Sequence, residues 1–467
     1  MTSHVTLDPP VGESTYALAA FAAGLSYADL PGDVVAHACL CVLDSLGCGL
    51  YGATLPWSVI LRETLATVDS GTSGTLIGAA ARLSVVHAAL VNGAAIHAFE
   101  LDDLHPRSIV HPGSVVIPAA LATAEHRGGV SGRELLTAIV AGYEVAARVG
   151  RSMGAAHLLQ GWHPTATHGT LGAAAAAGSV LGLSAAQLVD ALGTAGTQAG
   201  GLMSAQYASM VKRFHAGRAA QSGLYAALLA ARGYRGISNL FEADYGGYGP
   251  TFSPAYDPSA LTAGLGTTWE TLAVGFKPYS TNGSCHPTID ALLELRAAHG
   301  LRLDNVASVR LAVSSATLKH VGWPYVPDTI TTAQMNLPFI AAVTIADGDA
   351  FVRQFTPERV AAPELVDFSR RVVVAADQAI DAEGDSGRHH TKISVTLSSG
   401  EVLEDERWFA RGSARQPMTA AEVSEKFGKL TVDSVSPPRS ERLLGSIAGL
   451  PDLESADQLL ADLGPES

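Results

Sequence analysis

The sequence of 467 residues is 47% hydrophobic and only 16% charged, which excludes a mostly disordered chain. Its 30 basic and 44 acidic residues give a net charge of −14, which argues against nucleic acid or an anionic membrane surface as the main partner. At about 150 residues per domain the length allows two to three domains, and the low charge predicts that some surface is buried in an oligomer, at least a dimer.

The N-terminal residues MTSHVTLDPPVGES lack a basic region and an apolar core, so we predict no secretory signal and a cytoplasmic protein. The most apolar stretch, TLGAAAAAGSVLGL from Thr170, is shorter than the ~20 residues that a bilayer span needs, so we expect no membrane segment. The few cysteines have no paired spacing suited to zinc and are predicted to be reduced core thiols: Cys39, Cys41, Cys48 and Cys285.

Residues 13 to about 235 return repeatedly to a helical period, with signals for helix starts and ends. Ser131 with Glu134, and Ser184 with Gln187, form capping boxes that begin helices. Many predicted helix contacts involve alanine and glycine, as in the run GAAAAAG, so these helix axes are expected to lie close together. We predict that this part of the chain is an all-helical domain.

The composition shifts to glycine, proline and tyrosine between residues 241 and 269, which marks a domain boundary. The patterns beyond this boundary predict, in chain order, a strand over 306–313, helices over 332–346 and 363–371, a hairpin of 392–397 with 401–403, and a helix capped by Thr419 with Glu422. The fold class is therefore predicted to be mainly α, with a large all-helical domain and a smaller α+β domain.

His-Pro dipeptides occur four times, where the composition predicts about 0.8 by chance. They begin at His105, His111, His163 and His286, and the last three stand directly before runs that read as helices. Proline favours the first helical position, so each of these histidines is expected at or near an N-cap. The helix dipole there lowers the pKa of an imidazole and keeps it neutral, as a general base requires, although a histidine that only caps a helix remains the alternative.

An acidic loop between two apolar helices brings carboxylates and imidazoles together. Glu100, Asp102, Asp103, His105 and His111 fall within twelve positions. A functional loop is favoured over an exposed acidic turn that caps the following helix. A metal site built on the two aspartates and two histidines is a further alternative, but we predict no metal because the loop has neither a His-x-x-x-His nor a Glu-x-x-His pair.

Two helix starts carry groups suited to anions. In GWHPTATHG, Thr165 follows His163 in the first helical turn, where hydroxyls and free amides form an anion site or merely cap the helix. In MVKRFHAG, Lys212 and Arg213 open a helix whose dipole they oppose, which costs stability unless an anion offsets it. We expect a bound carboxylate there, with a solvated basic rim as the alternative.

The segment FKPYSTNGSCHP lies just beyond the domain boundary and carries Lys277, Asn282 and His286. Small-molecule sites are common in clefts between domains. We therefore expect this segment to face such a cleft.

Four segments of the chain, taken in order, resemble the MmgE/PrpD family. They are HAFELDD...HPGSVVIPAALATAE, GWHPTATHGTLGAAAAAGSVLGL, KRFHAGRAAQSGLYAALLAARGY and FKPYSTNGSCHPTIDALLEL. The resemblance implies a large helical domain, residues 1–265, completed by C-terminal helices over 415–467. It also implies an α+β lid domain over 266–414, a homodimer, and activity on a small polycarboxylate without a cofactor.

The family's active-site positions match His111, His163, Lys212 and Lys277 in this sequence. Glu100 stands where the family usually has aspartate, and Leu104 where a threonine is common. An active-site tyrosine of the family corresponds loosely to Tyr325.

The resemblance implies removal or return of a proton next to a carboxylate, with one of His111 and His163 as base and the other as acid. Lys212 and Lys277 would bind substrate carboxylates, and Glu100 with Asp103 would orient an imidazole. The predicted substrate-binding set also includes Arg213, Thr165, His286 and Tyr325.

We expect a lyase of the cis-aconitate decarboxylase or 2-methylcitrate dehydratase type. The GWHPT motif is typical of the decarboxylase and epimerase branch, so an epimerase of an iminodisuccinate-like acid is one alternative. A metal-dependent hydrolase built on Asp102, Asp103, His105 and His111 is another, and a binding protein without catalytic activity is a third.

Overall fold

The computed structural model of the protein describes residues 11–207 and 209–464, and the side chains of 385 and 386 are not described. The prediction of no secretory signal falls mostly on residues 1–10, which lie outside the described residues. The predicted fold class is confirmed, because helices dominate and the larger of the two sheets has only four strands.

The first half of the described chain is helical apart from the short strands β1 (Gly74–Thr75) and β2 (Arg82–Leu83). Its helices are α1 (Glu13–Gly24), α2 (Gly32–Gly52), α3 (Pro56–Ala66), α4 (Val85–Ile96), α5 (Gly113–Arg127), α6 (Gly132–Leu159), α7 (Pro164–Val180), α8 (Ala185–Gly196), α9 (Val211–Ala231), α10 (Tyr248–Phe252) and α11 (Ser259–Thr262). The capping boxes at Ser131 and Ser184 are confirmed at the starts of α6 and α8.

The second half alternates helices with strands. Its helices are α12 (His286–His299), α13 (Ser315–Val321), α14 (Ile330–Gln334), α15 (Leu337–Asp347), α16 (Pro357–Val360), α17 (Pro363–Ser369), α18 (Gln378–Asp381), α19 (Ala420–Thr431), α20 (Pro437–Ala448) and α21 (Asp457–Ala461). Its strands are β3 (Val306–Val313), β4 (Val372–Ala376), β5 (Thr391–Leu397) and β6 (Val402–Arg407).

Glycines allow the core helices α4, α7 and α9 to lie unusually close together. A Cβ on Gly217 of α9 would lie 2.0 Å from the carbonyl oxygen of Leu90 in α4. A Cβ on Gly223, also in α9, would lie 2.6 Å from the carbonyl oxygen of Thr170 in α7. The expected close helix packing is confirmed, and it fixes the ends of α4, α7 and α9 relative to one another.

The four-stranded sheet has the strand order β4-β3-β5-β6. Val309 of β3 pairs in parallel with Val372 of β4 and antiparallel with Val395 of β5, and β5 and β6 form an antiparallel hairpin. The predicted strand and hairpin are confirmed. The edge strand β4 was not predicted, because its short apolar run directly follows a helix without a turn signal of its own.

The helix predicted over residues 332–346 is wrong as one element, because it is two helices that meet at Asn336. The Asn336 side chain accepts a hydrogen bond from the amide of Phe339 and donates one to the carbonyl of Trp323. Pro338 then occupies the first turn of α15. Asparagine capping and proline therefore restart the helix within an otherwise helical pattern.

Helix α19, near the C-terminus, packs against α2 in the helical part of the molecule. The Nζ of Lys426 donates to Asp44 Oδ1 and to the carbonyl of Leu101, both at 2.6 Å. Phe427 lies so close to Gly47 that a Cβ there would be 2.9 Å from its ring. Helix α19 thus supports the loop that follows α4.

Helix α2 is the one helix in the described part of the chain that is long and apolar enough to cross a membrane. In its most apolar window 67% of the residues are buried inside the structure, as in the core helix of a soluble protein. Cys41 and Cys48 of this helix are buried, and all four cysteines of the chain are free thiols, as predicted.

Candidate active site

A cavity of about 40 Å³ lies where the starts of α7 and α9 and the loop after α4 face the α+β part of the chain. The side chains that define its chemistry are Glu100, His111, His163, Lys212, Lys277 and His320. The four positions matched to the family's active site, together with Glu100, therefore meet in one place.

Glu100 is the central anion of this site. Its side chain is 1% exposed, and its backbone φ of +57° is uncommon for a residue with a Cβ. The Nζ of Lys212 and a guanidinium nitrogen of Arg213 both donate to its Oε1, and the Nζ of Lys277 lies 3.5 Å from Oε2. Three cations thus surround one carboxylate, which leaves an excess of positive charge for a bound anion.

The charges in this cluster shift one another's pKa values. Burial opposes ionisation of Glu100, but Lys212, Arg213 and Lys277 outweigh it and hold the pKa of the carboxyl well below its ordinary value. Burial lowers the pKa of Lys212 to about 8, although the carboxylate of Glu100 opposes this shift. Lys212 is therefore a cation at neutral pH that loses its proton within a biologically accessible range.

Arg213 does not line the cavity but links the two parts of the molecule. Its other guanidinium nitrogen donates to Gln334 Oε1 at 3.3 Å, and the amide nitrogen of Gln334 donates to the carbonyl of Phe99 at 3.0 Å. A substrate carboxylate cannot approach the Arg213 nitrogen that Glu100 occupies. The structure places Arg213 as a support for Glu100.

His111 is held by the backbone of the acidic loop. Its Nδ1 donates to the carbonyl of Asp103 at 2.7 Å, so the neutral ring presents an unprotonated Nε2. Burial lowers the pKa of His111 to about 3, although the nearby carboxylate of Asp102 opposes this shift. Burial, rather than the predicted helix dipole, is therefore the main influence that favours the neutral imidazole of His111.

His97 and Asp102 form a buried pair beside His111. Asp102 Oδ2 accepts from His97 Nδ1 at 2.7 Å, and Asp102 Oδ1 lies 3.5 Å from His111 Nδ1. Burial opposes ionisation of Asp102, but the two imidazoles hold its pKa below the ordinary value. The ring of His97 lies 5.0 Å from that of His111 and 5.5 Å from that of His163, so the pair positions both.

His163 is the N-cap residue of α7, as the His-Pro pattern predicts. Its Nδ1 lies 3.2 Å from Nδ1 of His215, so one ring donates a hydrogen bond to the other. Burial lowers the pKa of His163 well below its ordinary value, and the cation of Lys212 lowers it further. His163 is therefore a neutral imidazole in contact with a second imidazole and close to a cation.

The other two His-Pro sites lie next to the N-cap, as predicted, but not on it. Pro112, not His111, is the N-cap residue of α5, and His286 is the first residue of α12 rather than its cap.

Thr165 and Asp103 are close to the site but turn away from the cavity. The Thr165 hydroxyl accepts from the backbone amide of His111 at 3.2 Å. Asp103 accepts from the amide of Gly113 at 2.9 Å and from the hydroxyl of Tyr143 at 2.7 Å. Both residues fix the backbone around His111, and neither lines the cavity.

His286 and Tyr325 also lie away from this cavity. His286 Nε2 is 3.4 Å from the carbonyl of Thr281, and its ring borders a neighbouring, larger cavity. The Tyr325 hydroxyl donates to the carbonyl of Val360 at 2.7 Å, which ties the residue into the core of the α+β part.

The α+β part supplies two histidines that the sequence analysis missed. His320 of α13 and His389, just before β5, line the cavity beside Arg388. Within the described part of the chain, His320 Nε2 and His389 Nδ1 are buried without a hydrogen-bond partner. Burial lowers the pKa of each ring to about 3. The adjacent histidines in the run Arg388-His389-His390 are a pattern by which His389 could have been singled out from the sequence. His97 and His320 have no comparable pattern around them.

The four metal ligands considered from the sequence do not come together. His105 Nε2 bonds to Glu270 at 3.0 Å, and Asp103 bonds to Gly113 and Tyr143. Among the described residues, the group whose ligand atoms lie within 4.8 Å of one another is His97, Asp102 and His111. The structure therefore gives no support to the hydrolase alternative in the form predicted.

Comparison with known proteins finds one family that matches most of the chain. The MmgE/PrpD N-terminal domain matches residues 16–259, and the MmgE/PrpD C-terminal domain matches residues 279–449. A "Cis-aconitate decarboxylase-like protein oryM" of Aspergillus oryzae is 34% identical, covering 99% of each chain.

Two further relatives are named cis-aconitate decarboxylase. The protein of Aspergillus terreus is 31% identical over 94% of each chain. The human protein is 30% identical over 93% of this chain and 91% of its own. The chain therefore belongs to the MmgE/PrpD family.

Proposed function

We propose that this MmgE/PrpD-type lyase decarboxylates cis-aconitate or a close structural analogue. The observation that carries the proposal is the meeting of two neutral imidazoles, His111 and His163, with Lys212 and Lys277 around one buried cavity. Relatives that carry the name cis-aconitate decarboxylase cover nearly the whole chain and support this choice among the family's reactions.

The cations bind and orient the substrate. Two of its carboxylates would lie against Lys212 and Lys277, whose charges Glu100 neutralises only in part. The C–C bond to the third carboxylate then breaks, CO₂ leaves, and the electron pair is delocalised into the remaining unsaturated carboxylate. Lys212 and Lys277 stabilise the negative charge that develops there.

Protonation of this carbanion completes the reaction. A bound polycarboxylate raises the pKa of nearby imidazoles, because it adds negative charge where burial had disfavoured the cation. One of His111 and His163 would donate the proton to carbon and the other would return the site to its resting protonation state. His320 and His389 would donate hydrogen bonds to a carboxylate from the α+β side.

The experiment is product analysis by proton NMR with purified, EDTA-treated enzyme. Separate samples contain cis-aconitate, 2-methylcitrate, citrate or iminodisuccinate. The proposal predicts loss of CO₂ from cis-aconitate with the highest kcat/KM of the four. Loss of water from 2-methylcitrate, or exchange at the carbon of iminodisuccinate without loss of CO₂, would instead support a dehydratase or an epimerase.

We also propose that the enzyme is a cytoplasmic homodimer that uses neither an organic cofactor nor a metal. The low charge of the chain supports an oligomer interface. Light scattering coupled to size-exclusion chromatography tests the assembly, and metal analysis with activity measured before and after EDTA tests the cofactor proposal.

A further inference from the structure

A second cavity, here called the chamber, adjoins the active-site cavity. Its volume is about 540 Å³, against about 40 Å³ for the active-site cavity. The two share lining residues from both parts of the molecule: Leu104, Pro106, Lys277, Gly283 and His389. A molecule whose carboxylates lie at Lys277 therefore has the chamber as its neighbouring space.

The chamber is a built feature, because backbone hydrogen bonds join its walls. Leu104 and Gly275 exchange two such bonds at 2.9 Å, and the amide of Phe276 donates to the carbonyl of Gly412 at 2.9 Å. A Cβ on Gly275 would lie 2.4 Å from that same carbonyl oxygen, so a glycine is required for this approach. The segment around Gly412 is held against the active-site loop.

The lining of the chamber is largely apolar. Leu104, Phe276 and Ala410 form its walls, and Trp408 and Phe409 contribute aromatic rings that are 44% and 41% exposed. Large aromatic rings left this exposed around a cavity are typical of a ligand site.

Two of the three arginines at the edge of the chamber are paired with carboxylates. Arg107 binds Glu270, and Arg411 binds Glu422. The guanidinium of Arg415 lies 5.8 Å from the centre of the Phe409 ring. This edge therefore offers few unpaired cations for a further carboxylate, and the chamber suits hydrocarbon better than an acidic group.

The active-site cavity alone is small for a tricarboxylate. A volume of about 40 Å³ holds roughly three water molecules, at ~10–15 Å³ for each. Leu104 presents a hydrocarbon side chain at the boundary between the two spaces, where its Cδ2 would lie 3.0 Å from a Cβ on Gly283. A substrate that reacts beside His111 and Lys212 and extends past Leu104 thus meets a hydrocarbon surface there.

We infer that the preferred substrate is an unsaturated polycarboxylate that carries an alkyl substituent, and that this substituent occupies the chamber. The inference rests on the proposed function for the reacting end of the molecule. Each methylene moved from water into the chamber is expected to raise kcat/KM by ~4-fold, the equivalent of ~0.8 kcal/mol.

The first experiment compares cis-aconitate with homologues that carry ethyl, butyl or hexyl chains on the methylene carbon. We expect kcat/KM to rise with chain length, by tenfold or more for the butyl homologue. The Ala410→Trp and Ala414→Trp variants fill the chamber and should abolish this rise while they leave turnover of cis-aconitate unchanged. Ala420→Trp, at an exposed position on α19 outside the chamber, is the matched control.

Calorimetric binding of succinate, butylsuccinate and octylsuccinate separates this inference from the proposed reaction. One outcome is that neither cis-aconitate nor its alkyl homologues are decarboxylated, but alkylsuccinates bind more tightly as the chain lengthens and Ala414→Trp abolishes this gain in affinity. In that case the chamber inference stands and the proposed reaction is wrong. If cis-aconitate is decarboxylated but chain length changes neither kcat/KM nor affinity, the inference is overturned. It is also overturned if Ala414→Trp only dissociates an oligomer, because the chamber is then an interface between copies.

Discussion

Glu100 and Lys212, which are 112 residues apart in the chain, form a buried ion pair in the wall of the active-site cavity. The pair joins the loop after α4 to the start of α9, and Arg213 extends it to the α+β part of the molecule. Lys277 lies within 3.5 Å of the same carboxylate. One glutamate therefore sets both the position and the charge of the groups that bind the substrate.

Replacement of this carboxylate should be costly to both stability and activity. Glu100→Gln leaves Lys212, Arg213 and Lys277 buried with no opposing charge, which is expected to cost about 3–5 kcal/mol of unfolding free energy. It also removes the interaction that raises the pKa of Lys212. Chemical denaturation and substrate titration of this variant test the account, with Glu100→Asp as the variant that keeps the charge. Equal stability of the Gln variant and the wild type would contradict it.

The pKa of Lys212 predicts the alkaline limb of the pH profile. The group is a cation below its pKa of about 8 and neutral above it, so carboxylate binding weakens as the pH rises through 8. We expect kcat/KM to fall about tenfold per pH unit above this value. Lys212→Arg keeps a cation at every accessible pH, so its residual activity should lack this limb. The same limb in both enzymes would assign the titration to another group.

His163 is expected to transfer a proton in the reaction. His163→Ala should lower kcat by ~10²-fold or more with little change in the fold, because the ring lies at a helix start and does not cap it with its side chain. Steady-state kinetics and circular dichroism test this expectation. The control is His126→Ala, at an exposed position near the end of α5. Wild-type turnover by the His163 variant would remove this residue from the mechanism.

The contact of α19 with α2 predicts a large difference between two lysines of one helix. Lys426 is 4% exposed and binds Asp44, whereas the side chain of Lys429 is 61% exposed and binds Glu425. Lys426→Met leaves Asp44 buried without its cation and should cost about 3–5 kcal/mol, while Lys429→Met should change stability by less than about 1 kcal/mol. Urea denaturation measures both, and equal effects would show that the buried pair is not needed for stability.

Local sequence patterns could predict the residues whose position depends on one helix start. His163 follows from the His-Pro signal, and Lys212 from a cation placed against a helix dipole. The direction in which a side chain points was harder to predict. The patterns place Asp103 and Thr165 beside the site, but the hydroxyl of Tyr143 and the amides of Gly113 and His111 hold their side chains away from the cavity.

Residues brought in by tertiary structure could not be found in this way. His320 and His389 reach the cavity only because the sheet of the α+β part places α13 and the start of β5 against the helical part. His97 sits just beyond the end of α4, where nothing in the local pattern marks its contact with Asp102. Restart of a helix at Asn336 likewise depends on a distant partner, the carbonyl of Trp323.

The most direct test of the central claim is the reaction of cis-aconitate in D₂O with EDTA-treated enzyme, followed by NMR and by measurement of CO₂. Acid–base decarboxylation at His111 and His163 predicts one CO₂ released per substrate consumed and one deuterium on carbon in each product molecule. Loss of CO₂ should persist at the same rate in EDTA. Consumption of cis-aconitate without CO₂, or activity that returns only when a divalent ion is added, would contradict the account.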